Sequence, residues 1–168
     1  MRFLLLFLAC LSLPALAFGA SDPGDIFGVW LTEGGSAKLE IFPCGDKACG
    51  KVVWLKHPTF LSTSDGPLGM EKVDLKNPDP KLRNRPIVGL QVMEGMTAQG
   101  EWWRNGSCYD PQSGQTYQCK MRLESPSELR LRGFIGISLI GRTYALNRDG
   151  VAPVKTARNR ETKYSSLR

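Results

Sequence analysis

The sequence predicts an all-β protein, an eight-stranded antiparallel up-and-down barrel with one long loop, and three observations carry that prediction. Short β-rich runs recur between clusters of Gly, Pro, Asp and Ser, and helical periodicity is nearly absent. Most connections span two to seven residues, which makes successive runs antiparallel hairpins. A simple succession of strands leaves two sheet edges, and closure into a barrel removes both. A two-sheet sandwich is the competing architecture.

The strands are predicted, in order, at Gly28–Thr32, Ala37–Pro43, Gly50–Leu55, Ile87–Met93, Glu101–Tyr109, Thr116–Leu123, Leu129–Ile135 and Ser138–Leu146. Alternation is clearest in Lys38-Leu39-Glu40-Ile41 and Leu129-Arg130-Leu131-Arg132, where apolar residues face the core and charged ones face water. Gly133, Gly136 and Gly141 stand where bent barrel strands need glycine. Cys44 to Cys49 brackets a tight hairpin, and Tyr109-Asp110-Pro111-Gln112-Ser113-Gly114 is a turn in which Asp110 caps and Pro111 presets φ. The long connection, 56–85, holds two apolar patches, Phe60-Leu61 and Leu68-Gly69-Met70, that suit the mouth of a barrel.

Residues 1–20 form the expected signal peptide. Arg2 precedes an apolar run from Phe3 to Phe18, and Ala15-Leu16-Ala17 suits cleavage. This run is too short for a membrane span, and Cys10 lacks the flanking order of a lipoprotein site. The expected location is the periplasm of a Gram-negative bacterium. Residues 21–149 form one barrel domain, and 150–168 read as a basic, disordered tail. The net charge of +6 belongs to that tail: Lys155, Arg158, Arg160, Lys163 and Arg168 lie there, and Arg2 lies in the leader. The body is near neutral, so nucleic acid is not an expected partner. Nothing in the sequence specifies an oligomeric state.

Four cysteines remain past the leader, and four allow three connectivities. An oxidising compartment favours bonds, and the intervening turns favour local pairs, Cys44–Cys49 and Cys108–Cys119. Each closure is worth about 2 to 3 kcal/mol in the chain-entropy picture. Direct pairing of Cys108 with Cys119 turns Arg104 inward unless Gly106 marks a bulge. A zinc site fits poorly, since the two cysteine pairs have the wrong spacing and the sequence has a single histidine, His57. No phosphate loop or dinucleotide fingerprint occurs, so neither metal nor cofactor is expected.

Function concentrates in Asp74 to Leu90, a polar segment stiffened by Pro78, Pro80 and Pro86. Arg83 and Arg85 suit an anion clamp, with Asp74, Asn77, Asp79 and Arg104 as further ligand-binding candidates. The favoured structural reading has one of these arginines pinning the loop through Asp74 or Asp79. Gly28-Val29-Trp30 resembles the Gly-x-Trp opening of lipocalin barrels. There the tryptophan closes one barrel end under a basic residue, here Arg142 or Arg148.

A longer pattern is more specific. It runs from Trp30-Leu31-Thr32 through Cys49-Gly50-Lys51, Asn77-Pro78, Leu82-Arg83-Asn84-Arg85-Pro86, Tyr109-Asp110-Pro111 and Leu131-Arg132-Gly133-Phe134 to Gly141-Arg142-Thr143. Together these resemble a family of secreted bacterial proteins catalogued as domain-of-unknown-function 2147. The resemblance covers about 27–148 and implies a lipocalin-like barrel without an established activity. Two departures stand out: Leu146 where a tryptophan is expected, and Cys108 with Cys119 as additions. The expected function is non-catalytic binding of a small ligand or cell-envelope component. The alternatives are an envelope hydrolase using carboxylates of the 56–85 loop and a structural module with a filled barrel.

Overall fold

The computed structural model describes residues 26–150. The expected signal peptide lies outside them, as does the expected tail beyond Gly150. Eight strands form among the described residues: β1 Gly28–Thr32, β2 Ala37–Cys44, β3 Lys47–Leu55, β4 Gln91–Gln99, β5 Trp102–Asp110, β6 Gln115–Ser125, β7 Glu128–Phe134 and β8 Gly141–Arg148. Each pairs antiparallel with the next, and β8 pairs with β1 through Trp30–Arg148, Leu31–Asn147 and Thr32–Leu146. The result is the closed barrel rather than the sandwich. No helix of the described residues is long and apolar enough to cross a membrane.

The fourth strand departs most from its expected bounds. Ile87 and Leu90 are not strand residues; the chain turns there, Leu90 N donating to Ile87 O. Both side chains pack on Val52, with Leu39 and Leu55 beside them. β4 then continues through Gly95 to Gln99. The long connection therefore spans 56–90, and it is ordered by its own bridges, Thr59–Glu71 and Val73–Pro86, and by a 3-10 turn at Pro80–Leu82.

Up-and-down order sorts the loops onto two ends. The start of β1, the end of β8 and the β2–β3, β4–β5 and β6–β7 hairpins lie at one end. The long loop and the β1–β2, β5–β6 and β7–β8 connections lie at the other. The first end is closed. Trp30 is wholly buried among Ile26, Ile41, Ala48, Met96, Trp103, Met121 and Leu129. Its indole Nε1 donates to Ile26 O at 2.8 Å, so the only polar atom of the ring is satisfied.

Arg148 supplies the cation of this closure, its guanidinium 4.3 Å from the Trp30 ring centre. Its Nε donates to Pro126 O and its Nη1 to Phe27 O, tying three chain segments together. Gly28 sits beside that guanidinium with φ of 125°, a conformation that requires glycine. Arg142, the alternative cation, lies at the opposite end of β8, paired with Gly133, and does not take part.

Cys44–Cys49 is bonded as expected. Cys108–Cys119 is not, and both are thiols. The β5–β6 turn closes on Asp110–Gln115, so Cys108 stands opposite Tyr117 and Cys119 opposite Gly106. The two cysteines are thus diagonal rather than directly opposed, and Cys119 Sγ donates to Met96 Sδ at 3.4 Å. A hydrogen bond with Cys119 and burial push the Cys108 thiol well above its usual range.

The register also corrects Arg104. A bulge between Trp103 and Gly106 absorbs the extra residue, with Asn105 at φ of 62°, a left-handed value that asparagine tolerates. Trp103 stays in the core while Arg104 turns out to solvent.

Trp30→Ala should destabilise the barrel by about 3 to 5 kcal/mol, and Arg148→Ala by about 1 to 3 kcal/mol through its carbonyl bonds. Urea melts of the two variants check this order. Native protein at mildly alkaline pH should resist alkylation at Cys108 and Cys119, and should become reactive on unfolding.

Candidate functional site

The polar segment is built around one carboxylate. Asp74 has no solvent exposure at all. Arg85 reaches its Oδ2 with two nitrogens, Nε at 3.0 Å and Nη2 at 2.9 Å. Asn77 Nδ2 donates to the same oxygen at 2.8 Å, and Tyr109 OH donates to Oδ1 at 2.6 Å. Asn77 Nδ2 also meets the Tyr109 oxygen at 3.2 Å. A buried charge is tolerable only when paired and hydrogen-bonded throughout, and this one is.

Local sequence explains how four residues converge. Asp74 N donates to Arg85 O, which brings two strands of the loop side by side. Asn77 N donates to Asp74 O, folding Asp74–Asn77 into a turn whose side chains return on each other. Asn77 Oδ1 then accepts from Asp79 N, and Asp79 Oδ1 accepts from Lys81 N to start the 3-10 turn. Pro80 takes the first position of that turn, where no N–H is needed. Tyr109 comes from β5, so the loop is tied to the barrel wall. Gly114 of the β5–β6 turn lies so close to the Lys76 carbonyl that no side chain fits there.

Arg85 lies 5.6 Å from the Tyr109 ring centre and is half exposed. Arg83 does not reach a carboxylate; its Nε donates to Asn77 O at 2.8 Å. The structure thus brings Asp74, Asn77, Arg83 and Arg85 together, with Asp79 one turn away. It leaves Arg104 elsewhere: with Lys120 and Arg122, that residue surrounds the Trp102 ring on the outer wall, at 5.1, 4.9 and 4.8 Å. His57 is exposed at the start of the loop. Among the described residues no group of three or more metal-ligating side chains assembles.

The four anchor groups serve the loop's own backbone and charge. Exposed side chains of the inner face lie on β8. Leu146 is buried in the core opposite Leu129, and strand alternation puts Tyr144 and Arg142 on that same inner face. Yet Tyr144 is 47% exposed, and Arg142 is exposed as well. Inner-face residues of β6 and β7 adjoin them: Leu131 stands opposite Tyr144, Gly133 opposite Arg142, and Tyr117 packs beside Gly133. β1 ends at Thr32, paired with Leu146, so it does not extend along the Gly141–Ala145 part of β8. The inner wall is therefore open to water on the β6–β8 side. On the β2–β3 side, Ile87 and Leu90 of the long loop cover it. Among the described residues no side-chain partner engages the Arg142 guanidinium.

Tyr109 and Tyr144 were not singled out from the sequence. Tyr109 read as a turn residue, although an interior partner for a buried carboxylate needs a donor of its kind. The parity of Arg142, Tyr144 and Leu146 was available in the pattern and places all three on one face.

A model of a family described as an uncharacterized protein conserved in bacteria, DUF2147, matches residues 28–148. The chain belongs to this family. Among solved structures it is similar to one titled protein HP1028 from the human pathogen Helicobacter pylori, described as belonging to the lipocalin family. The two share 22% identity over 72% of this chain and 80% of that one, with a TM-score of 0.60. That likeness concerns the fold, which is lipocalin-like. Curated proteins provide no match.

Asp74→Ala and Arg85→Ala should each cost about 3 to 5 kcal/mol, because each breaks a pair whose carboxylate is buried. Arg83→Ala should cost about 1 kcal/mol, the worth of a single bond to a carbonyl. Denaturant melts rank the three.

Burial and the adjacent Asp74 carboxylate raise the Tyr109 phenol above its ordinary range, against smaller opposing effects of Asn77 and Arg85. The folded state therefore holds this proton more tightly than the unfolded chain. Its stabilisation is full below the ordinary tyrosine value of about 10 and is lost as pH rises through the raised folded value. The stability gap between wild type and Tyr109→Phe should be constant near neutrality and shrink above about pH 10. A pH series of melts on both proteins measures it.

Proposed function

We propose that this protein binds a small amphiphilic molecule with an anionic group in the open half of the barrel. One observation carries the reading: residues of the inner face are solvent-accessible at Arg142 and Tyr144, while the inner face around Trp30 is sealed. A barrel with one closed and one open end is a cup. The lining of this cup is apolar at Leu131 and aromatic at Tyr117 and Tyr144, with one guanidinium at its upper edge. Arg142 suits a carboxylate or phosphate, for which its planar fork is shaped.

The anchor supports binding over hydrolysis. Asp74 is committed to Arg85, Tyr109 and Asn77, and Asp79 to the backbone of the 3-10 turn. These carboxylates hold the loop in place. The apolar leader expected over residues 1–20 supports action in the periplasm, where an envelope component is the natural source of such a ligand.

Titration with a fluorescent long-chain fatty acid should show saturable binding. Arg142→Gln should weaken it about tenfold or more, the worth of a charged hydrogen bond. The same variant should leave affinity for the corresponding fatty alcohol nearly unchanged. Equal affinities of wild type and variant for the acid would remove Arg142 from the site, and no saturable binding of either ligand would remove the reading.

A further inference from the structure

We infer that the β7–β8 connection, residues 135–140, is a membrane-contacting element that seats the open end of the barrel on an anionic lipid surface. Ile137, Leu139 and Ile140 are 59%, 84% and 70% exposed, and Ile135 beside them is 63% exposed. Four large aliphatic side chains in six residues of one loop have nothing to cover them among the described residues. Such clustering is unusual on a water-facing surface.

The chemistry of the loop favours lipid over a protein partner. Its exposed side chains are aliphatic, without the aromatic anchors that dominate protein interfaces. More telling is its backbone. Arg132 Nε donates to Ser138 O at 2.7 Å and its Nη2 to Leu139 O at 3.1 Å, while Ile140 N donates to Ile137 O at 3.1 Å. The carbonyls of three successive residues are thereby satisfied within the hairpin. A segment entering an apolar phase must meet that condition, because lipid offers no hydrogen bonds. Arg132 also donates through Nη1 to Thr143 Oγ1, so one guanidinium splints both sides of the turn. The loop is thus ordered before contact and loses little entropy on insertion.

Charge places the partner's sign. No acidic residue occurs between Glu128 and Asp149, and Arg132 and Arg142 lie at the base of the loop. Cations one turn behind an apolar tip meet the headgroups when the tip reaches the acyl boundary. The long loop adds Leu61, Leu68 and Met70, all exposed, at the same barrel end. This inference does not require the ligand proposed above, although the cup opens toward the same surface.

The exported protein is tested by co-sedimentation with vesicles of phosphatidylethanolamine and phosphatidylglycerol, and with pure phosphatidylcholine vesicles as the neutral control. Binding to the anionic vesicles is expected, falling with salt. Leu139→Asp with Ile140→Asp should reduce it about tenfold or more. Arg142→Glu should reduce it severalfold on anionic vesicles. The basic segment beyond Gly150 is common to all variants, so their differences read the hairpin alone. Unchanged melting temperatures would show that the aspartates act at the surface. Vesicle binding that survives the double aspartate variant would overturn the inference, and so would absence of vesicle binding. A concentration-dependent dimer that the same variant abolishes, without lipid binding, would overturn it in favour of a second copy of the chain.

Discussion

A carboxylate wholly out of water must be neutralised where it stands, and the arrangement of this barrel's open end depends on that requirement at Asp74. Arg85, Asn77 and Tyr109 meet it from two separate parts of the chain, the long loop and β5. The penalty for separating them is large, since either half leaves unpaired buried groups behind. The loop is therefore fixed against the wall, with Lys76 seated on the β5–β6 turn and Ile87 and Leu90 laid over Val52. One side of the barrel end is covered as a result. The side toward β8, where no such anchor occurs among the described residues, stays accessible.

The two ends of the molecule divide its tasks. At the Trp30 end, packing and the Arg148 bonds close the barrel and join its first strand to its last. At the other end, the inner face carries polar and aromatic groups that no core requires. Arg142 and Tyr144 continue the same alternation that buries Leu146, so only their distance along β8 separates core from cup. Core packing at the Trp30 end and exposed inner-face side chains on β8 are thus separated along the barrel axis, and substitutions at Arg142 and Tyr144, unlike those at the Asp74 anchor, should cost little in folding.

Much of the barrel was legible in the sequence, because strand alternation and turn residues are local signals. Seven of the eight strands fall within a few residues of their predicted bounds. The fourth did not, since Ile87 and Leu90 are apolar for a tertiary reason: they pack on Val52 across the mouth. A pair of Arg83 or Arg85 with Asp74 or Asp79 was anticipated from charge and proline content, and Arg85 with Asp74 is the one formed, whereas Tyr109 is a long-range partner that no spacing reveals. The bulge at Asn105 was foreseen as an alternative near Gly106, and it decided that Arg104 faces outward. The disulfide at Cys108–Cys119 failed on register: a turn closing two residues earlier than assumed makes the pair diagonal. Arg142 and Arg148 both stood as the cation for Trp30, and Arg148 takes the place because it is the residue of β8 that pairs with Trp30, a topological fact.

The central claim is that the β6–β8 side of the inner face receives the ligand while the Trp30 end remains sealed. Its most direct measurement is an NMR titration with a long-chain carboxylate, following backbone and aromatic resonances of the folded protein. The account predicts saturable shifts at Tyr117, Leu131, Arg142 and Tyr144, with the Trp30 indole N–H unmoved. Shifts centred on Trp30 and Arg148, or confined to the Asp74 anchor, would contradict it.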